Sequence, residues 1–258
     1  MRLMKRILSA AAVLALSASL LVGCSSGTAS SVPVSASSAA ESTVSSVEET
    51  ASSAVDENEA AAAQLLNDLT GSYQELWPVI LADEYQQTWL DDCTALVGED
   101  NAEAAFEKLS SMVTGDVYGE DAVKAYANGG GAYFCGFTNS LAILTFDGET
   151  STISGTDKDG NMLFSHTYHY IGMEPVRGLY EFQSDDADSG EFTYFFLAPD
   201  TSAETYHIEF RYGSDAEALS QYDTGEYAYW LASGISTDCD QTMIDNCIEL
   251  FCTENLAG

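Results

Sequence analysis

Six short segments between residues 141 and 212 alternate apolar and polar side chains and are joined by short polar turns. A period of two residues is the pattern of a β-strand, because successive side chains point to opposite faces. The segments are 141–146, 149–154, 162–171, 176–182, 192–198 and 205–212. Strands this short and this evenly spaced pair with their neighbours along the chain. They therefore predict an antiparallel barrel or sandwich.

Helical periodicity flanks the strands on both sides. The pattern is helical from Glu57 to about Thr114 and again after the last strand. The predicted helices are one before Gly71 and those at 73–96, 102–113, 216–222, 227–232 and 240–256. We expect Pro78 in the first turn of its helix or at a break before it. The expected fold class is therefore mainly β with flanking helices at both ends (α+β).

The charge balance restricts the partners of the chain. It carries 8 Lys and Arg against 41 Asp and Glu, a formal net charge of −33. A protein needs clustered basic side chains to bind nucleic acid, and it needs them equally to be held on an acidic membrane surface by charge alone. This chain lacks such clusters, and its surface is expected to repel itself and to attract cations. Its hydrophobic fraction of 46% is enough for a folded core.

The N-terminus predicts export rather than structure. Arg2, Lys5 and Arg6 precede an apolar run at 7–22, which is short for a membrane span. Small residues then lead to Cys24 and resemble a bacterial lipobox, which implies cleavage before Cys24 and its lipidation. We therefore expect a lipoprotein signal peptide at 1–24, a disordered tether rich in Ser, Ala, Thr and Glu at 25–57, and one folded domain at 58–258. The expected location is extracytoplasmic, anchored to the bacterial cell membrane.

The cysteines do not define a disulfide framework. Besides Cys24 there are five, at 93, 135, 239, 247 and 252. An odd number in an exported domain argues against a complete scaffold, and the spacing is not that of a CxxC motif. We interpret them as small buried hydrophobes. One disulfide among them remains open, and the sequence does not say which pair would form it.

The three histidines are the candidate metal ligands, because imidazole is the commonest ligand of this kind. His166 and His169 fall on opposite faces of one predicted strand, so a regular strand offers a metal at most one of them. His207 shares a face with Thr205 and Glu209 of the last strand. His207 with one earlier histidine and a carboxylate such as Glu204 or Glu209 would make a site. The alternative is that each is a lone strand residue with a hydrogen-bonded or exposed ring.

Other motifs give no site. The acidic segments 157–161 and 185–190 resemble pieces of calcium loops but lack acids at required positions, and we interpret both as solvated turns. No serine or cysteine stands in a known nucleophile motif, and the glycines at 129–131 lack the Lys and Ser/Thr of a phosphate loop. Bond-making catalysis is therefore not predicted.

From Leu69 onward the chain resembles the ZinT (YodA) family of exported zinc-binding proteins, whose domain also ends some Gram-positive lipoproteins. The resemblance rests on three segments in the family's order: 69–74 with Trp77 and Pro78, 176–182, and 206–210 followed by Gly213 and Ser214. It implies a lipocalin-like (calycin) barrel. The family's site has one histidine before an Ala-Pro pair and two in a His-x-His. Here only His207 matches, because Thr205 replaces the other member and the first position falls near Phe195.

The resemblance implies a membrane-anchored extracytoplasmic protein that binds a divalent metal, zinc in this family, through a degenerate or rebuilt site. His207 would be the central ligand, His166 or His169 the second and a carboxylate the third. A metal-uptake transporter or its binding protein is the partner that this role would need. The alternative is a metal-independent module, either a calycin-type barrel for a small apolar ligand or a surface interaction domain.

Overall fold

The computed structural model describes residues 57–198 and 207–257. Eight antiparallel strands, paired in chain order, form a closed barrel because β1 also pairs with β8. The strands are β1 Gly71–Glu75, β2 Ile143–Asp147, β3 Thr152–Thr156, β4 Met162–Met173, β5 Tyr180–Ser184, β6 Tyr194–Leu197, β7 His207–Gly213 and β8 Ala232–Ser236. This up-and-down order is that of lipocalin-like barrels, and the expected fold class is confirmed.

Helices stand before, between and after the strands. They are α1 57–68, α2 Leu76–Ile80, α3 Gln86–Val97, α4 Ala102–Ser111, α5 Glu120–Ala127, α6 Ala216–Leu219 and α7 Gln241–Leu256. Short 3₁₀ turns lie at Asp83–Tyr85, Glu99–Asn101 and Gly190–Phe192. The carboxylate of Asp240 caps α7 by accepting from the Met243 N–H, as expected for an aspartate before a helix. Among the residues described, no helix is both long and apolar enough to cross a membrane.

Two packed clusters hold the fold together. Inward side chains of the strands and one face of α1 fill the barrel. A second cluster joins α2, α3, α4 and α7 to the outer wall of the barrel through Ile235 of β8. Trp89 is fully buried at its centre, and its ring approaches Phe106 of α4 and Phe251 of α7 at 5.5 and 6.0 Å. The helical layer thus has a buried core of its own, which packs α7 against α2, α3 and α4.

The structure confirms the six predicted strands, which are β2 to β7, and the helices that became α1, α4, α6 and α7. The single helix predicted at 73–96 is wrong, because its first residues pair as β1 and the rest divides into α2, a 3₁₀ turn and α3. Pro78 lies in the first turn of α2, as expected. The helix predicted at 227–232 is also wrong, since that segment is irregular and leads into β8. Helix α5 was not predicted.

The predicted signal peptide and tether fall almost wholly on residues 1–56, which lie outside the described residues, as does the lipidation site Cys24. Thr205, which was predicted to share a face of the last strand with His207, also lies outside the described residues. The signal peptide, the tether and the lipidation of Cys24 remain predictions.

Candidate functional site

The side chains of β7 alternate between the inner and outer faces of the barrel wall, as the sequence pattern predicts. Ile208, Phe210 and Tyr212 point into the barrel and are buried. His207 and Glu209 are half-buried on the outer face, where they stand opposite Ile235 and Ser233 of β8. Two potential metal ligands of β7 are therefore neighbours on one face, directed toward the helical layer.

A cleft lies between this face of β7 and the helices α2 and α7. It encloses a cavity of about 70 Å³. A single water needs about 10–15 Å³ by the same kind of measure, so the cavity has room for an ion and water. Its walls are formed by Leu76, Trp77, Ile80, His207, Glu209, Cys247, Leu250, Phe251 and Glu254. An imidazole, two carboxylates and a thiol thus line one small space.

Charge accumulates at this cleft. Burial, followed by the charges of Cys239, Glu209 and Glu254, raises the pKa of the Cys247 thiol to about 12. Burial and then Glu209 likewise raise the pKa of the nearby Cys135 thiol to about 12. Both thiols are protonated at neutral pH. A divalent cation would have the opposite effect to these carboxylates, because it favours the thiolate and releases the proton.

The potential metal ligands of the cleft lie near one another, but they are not arranged around a common point. In the described part of the chain, no group of three or more His, Cys, Asp or Glu side chains is arranged to hold a metal ion. His207, Glu209 and Glu254 each have interactions with other groups. Binding of a cation here would therefore require their side chains to turn toward a common point.

The other two histidines lie on β4 and face opposite ways, as predicted. His166 shares the inward face with buried Phe164, and its Nδ1 lies 2.7 Å from Asp186 Oδ2. His169 is on the exposed face, with its Nδ1 2.6 Å from Asp185 Oδ1. Neighbouring aspartates of the loop after β5 therefore engage one histidine each.

Neither histidine of β4 is brought to His207. Strands β5 and β6 separate β4 from β7, which is about 14 Å along the sheet at the usual strand spacing. His166 is also on the inner side of the wall, whereas His207 is on the outer side. As metal ligands, His166, His169 and His207 all remain predictions. The structure places Glu209 beside His207 as a candidate carboxylate.

Sequence reasoning missed one side of the cleft. Cys247 was interpreted as a buried hydrophobe, but Glu254 was not connected with it. Residues 247, 251 and 254 follow the i, i+4, i+7 spacing that puts side chains on one helical face. That spacing was the available signal. The sequence alone could not indicate that this face lies over β7.

The acidic segment 157–161 forms a turn that is closed by the carboxylate of Asp157. Its carboxylate accepts from the backbone N–H groups of Asp159 and Asn161, both at 2.9 Å, and from the Asn161 amide. These bonds lower the pKa of Asp157. The carboxylate therefore closes its own turn, as in an Asx turn.

Aromatic rings occupy the barrel interior. Phe195 of β6 approaches Tyr212 at 5.3 Å and Phe164 at 5.9 Å, and Phe182 is 1% exposed. The hydroxyl of Tyr212 accepts from Thr138 N at 2.6 Å and donates to Thr138 O at 2.9 Å. In the described residues, the volume that a ligand would need in a lipocalin-like barrel is thus packed with side chains.

Two buried charges, Glu174 and Arg211, lie on the outside of the barrel and are not among the residues that line the cleft. Glu174 accepts from the N–H groups of Val176 and Arg177, both at 2.7 Å, and from the Tyr222 hydroxyl at 3.3 Å. The ring of Tyr222 packs against the guanidinium of Arg211, 4.4 Å from its centroid. Arg211 is fully buried and donates to main-chain carbonyls, including those of residues 219 and 227. These contacts tie the turn after β4 and the segment 219–227 to β7.

Comparison with known proteins gives a limited result. No family model matches the chain, and no curated protein matches it. Among solved structures, it is similar to the Zn(II)-bound ZinT-like domain of Streptococcus pneumoniae AdcA, with 15% identity, a TM-score of 0.45, and coverage of 71% of this chain and 89% of that one. It is also similar to Zn(II)-bound AdcA from Streptococcus pneumoniae, with 14% identity, a TM-score of 0.43, and coverage of 72% and 35%.

Proposed function

We propose that the chain is a membrane-anchored extracytoplasmic protein that binds a divalent metal, zinc by its resemblance to the ZinT family, and delivers it to an uptake system. The supporting observation is that His207 and Glu209 stand side by side on β7, over a cavity also lined by Cys247 and Glu254. Nitrogen, oxygen and sulfur donors are those that zinc takes. The role is binding, with no bond made or broken.

The negative charge of the chain supports this role. With 41 acidic against 8 basic residues, the protein attracts cations. General attraction does not select a metal, however, and exposed carboxylates bind weakly. The imidazole of His207 is what would distinguish the cleft from the rest of the surface. Because the neutral imidazole is the ligand, affinity should fall below about pH 6.5.

The test is calorimetric titration of the purified full chain with zinc, with a non-thiol reductant present. We expect one tight site that His207→Ala abolishes and that Glu209→Gln weakens by about tenfold or more. Asp147→Asn is the matched control, because it removes one exposed carboxylate from β2 and leaves the cleft intact. Weak binding at many sites, equal in the wild type and in all three variants, would show that only the acidic surface is titrated.

The same titration examines His166 and His169. If either joins His207 around the metal, its replacement by alanine should weaken the tight site as strongly as Glu209→Gln. If zinc binds in the cleft alone, both variants should keep the tight site. The second result would remove these two residues from the ligand set without affecting the role of His207.

One observation favours a surface interaction domain as a second candidate. Ile171 and Met173 of β4 and Val176 after it are 40%, 41% and 60% exposed. Apolar side chains grouped on a surface are typical of contact sites between proteins. A calycin-type ligand in the barrel is less well supported, since aromatic rings fill the described interior. Absence of tight zinc binding would make the surface domain the better proposal.

A further inference from the structure

Two cysteines that are distant in the sequence meet inside the helical layer. Cys93 is on α3 and Cys252 is on α7, and their Sγ atoms are 3.9 Å apart. Both residues are fully buried. The same two helices are held together beside them by the edge-on contact of Trp89 with Phe251. The pair therefore lies in a packed contact between the two helices.

We propose that Cys93 and Cys252 form a disulfide that joins α3 to α7 when the chain folds in an oxidising compartment. The proposal goes beyond metal binding and shares with the proposed function only the extracytoplasmic location. It also selects among the five cysteines that the sequence left open. Cys135, for comparison, directs its thiol at the Tyr133 carbonyl, 3.8 Å away.

The geometry requires a small movement. A disulfide brings its two sulfurs to about 2.05 Å, so the atoms must approach by rather less than 2 Å. Rotation about the side-chain bonds of two residues on facing helices can supply most of this. The helices are already in contact, and no rearrangement of the barrel is needed.

The oxidant is a disulfide of low molecular weight, such as oxidised glutathione, or that of a thiol–disulfide oxidoreductase. One cysteine, as its thiolate, attacks this disulfide, forms a mixed disulfide and releases one thiol. The second cysteine then loses its proton and attacks the mixed disulfide, which releases the second thiol. Two cysteine thiols are oxidised, and one external disulfide is reduced to two thiols.

The packing also determines when the bond forms. Burial raises the pKa of both Cys93 and Cys252, so the folded chain contains little of either thiolate. Neither sulfur is accessible to an oxidant once α7 has packed. The bond should therefore form while the chain folds, and the folded reduced protein should be oxidised slowly.

Peptide mapping tests the pairing directly. The full chain is refolded in a glutathione redox buffer or in reductant, denatured, alkylated and cut after glutamate. Cleavage after Glu84 and Glu99 leaves Cys93 alone on peptide 85–99. Cleavage after Glu249 and Glu254 leaves Cys252 alone on peptide 250–254. We expect these two peptides to be linked after oxidative refolding and separate in reductant. Alkylation of both cysteines after oxidative refolding, or linkage of either to another cysteine, would overturn the proposal.

Thermal unfolding tests the consequence. The oxidised chain should have a Tm roughly 5–15 °C above that of the reduced chain, from the usual effect of a disulfide in a domain of this size. The difference should vanish in Cys252→Ala and persist in Cys135→Ala, which removes another buried thiol. Comparing oxidised with reduced protein within each variant cancels the cost of the truncation. No difference in the wild type would refute a stabilising bond, and because no zinc is added, the metal proposal would be unaffected.

Discussion

Trp89 provides the sharpest test of the helical layer that forms one wall of the cleft. Its side chain is fully buried, and its indole N–H donates to the Ile80 carbonyl at 2.7 Å. Truncation of a buried tryptophan to alanine typically costs about 3–5 kcal/mol, because it removes apolar burial and leaves a cavity. We therefore expect Trp89→Ala to lower the free energy of unfolding by about that amount. At about 2–4 °C per kcal/mol, Tm should fall by about 6–20 °C.

Urea unfolding followed by far-ultraviolet circular dichroism measures this loss. Trp89→Phe should fall between the wild type and alanine, because it keeps a ring but loses a hydrogen bond of about 1 kcal/mol. Leu96→Ala is the control on the same helix, since Leu96 is 38% exposed and its loss should stay within about 0.5 kcal/mol. If Trp89→Ala were as mild as Leu96→Ala, the layer would not be packed around this ring, and the cleft wall would be in doubt.

Three further substitutions examine separate contacts. Burial and then the charge of Glu249 raise the pKa of Asp92. Between the ordinary aspartate pKa and this raised pKa, the folded chain binds more protons than the unfolded one, so its stability falls as pH rises. Asp92→Asn should therefore raise Tm at pH 7, with a gain that shrinks toward about pH 4, the ordinary aspartate value; a loss at pH 7 would contradict this. Tyr212→Phe leaves the Thr138 N–H without its acceptor and should cost about 1–3 kcal/mol in urea, with faster amide exchange at that residue; unchanged exchange would refute the contact. Glu174→Gln removes the charge that two backbone N–H groups and a tyrosine hydroxyl share and should cost about 1.5–3 kcal/mol, whereas an equally stable variant would show that the charge is not needed.

The strands were predictable where side chains alternate, and β7 is the clearest case. The two strands that close the barrel were not. Residues 71–75 lead into α2 without a turn, so their period of two is lost in the helical pattern that follows. β8 is made largely of small residues, which carry no alternation. Gly234 shows why, because a Cβ there would lie only 3.1 Å from Ile208 Cγ1 on β7. Close strand packing, rather than hydrophobicity, selects these residues.

The candidate site, too, was predictable from the sequence only in part. The common face of His207 and Glu209 follows from local alternation and was predicted. The opposite wall comes from α7, whose Cys247 and Glu254 reach β7 only because the helix folds back across the barrel. Pairing of His166 and His169 with Asp186 and Asp185 also depends on a contact between β4 and a later loop. Contacts of this kind depend on tertiary packing and leave no periodic signal in the sequence.

The most direct test of the central claim is a crystal structure of the full chain grown with zinc, with anomalous data collected on both sides of the zinc absorption edge. We predict a zinc peak in the cleft between β7 and α7, at about 2.0–2.1 Å from an imidazole nitrogen of His207. Oxygen of Glu209 should be a second ligand. Zinc bound only to exposed carboxylates, with the cleft closed and His207 turned away from it, would contradict the proposed metal site.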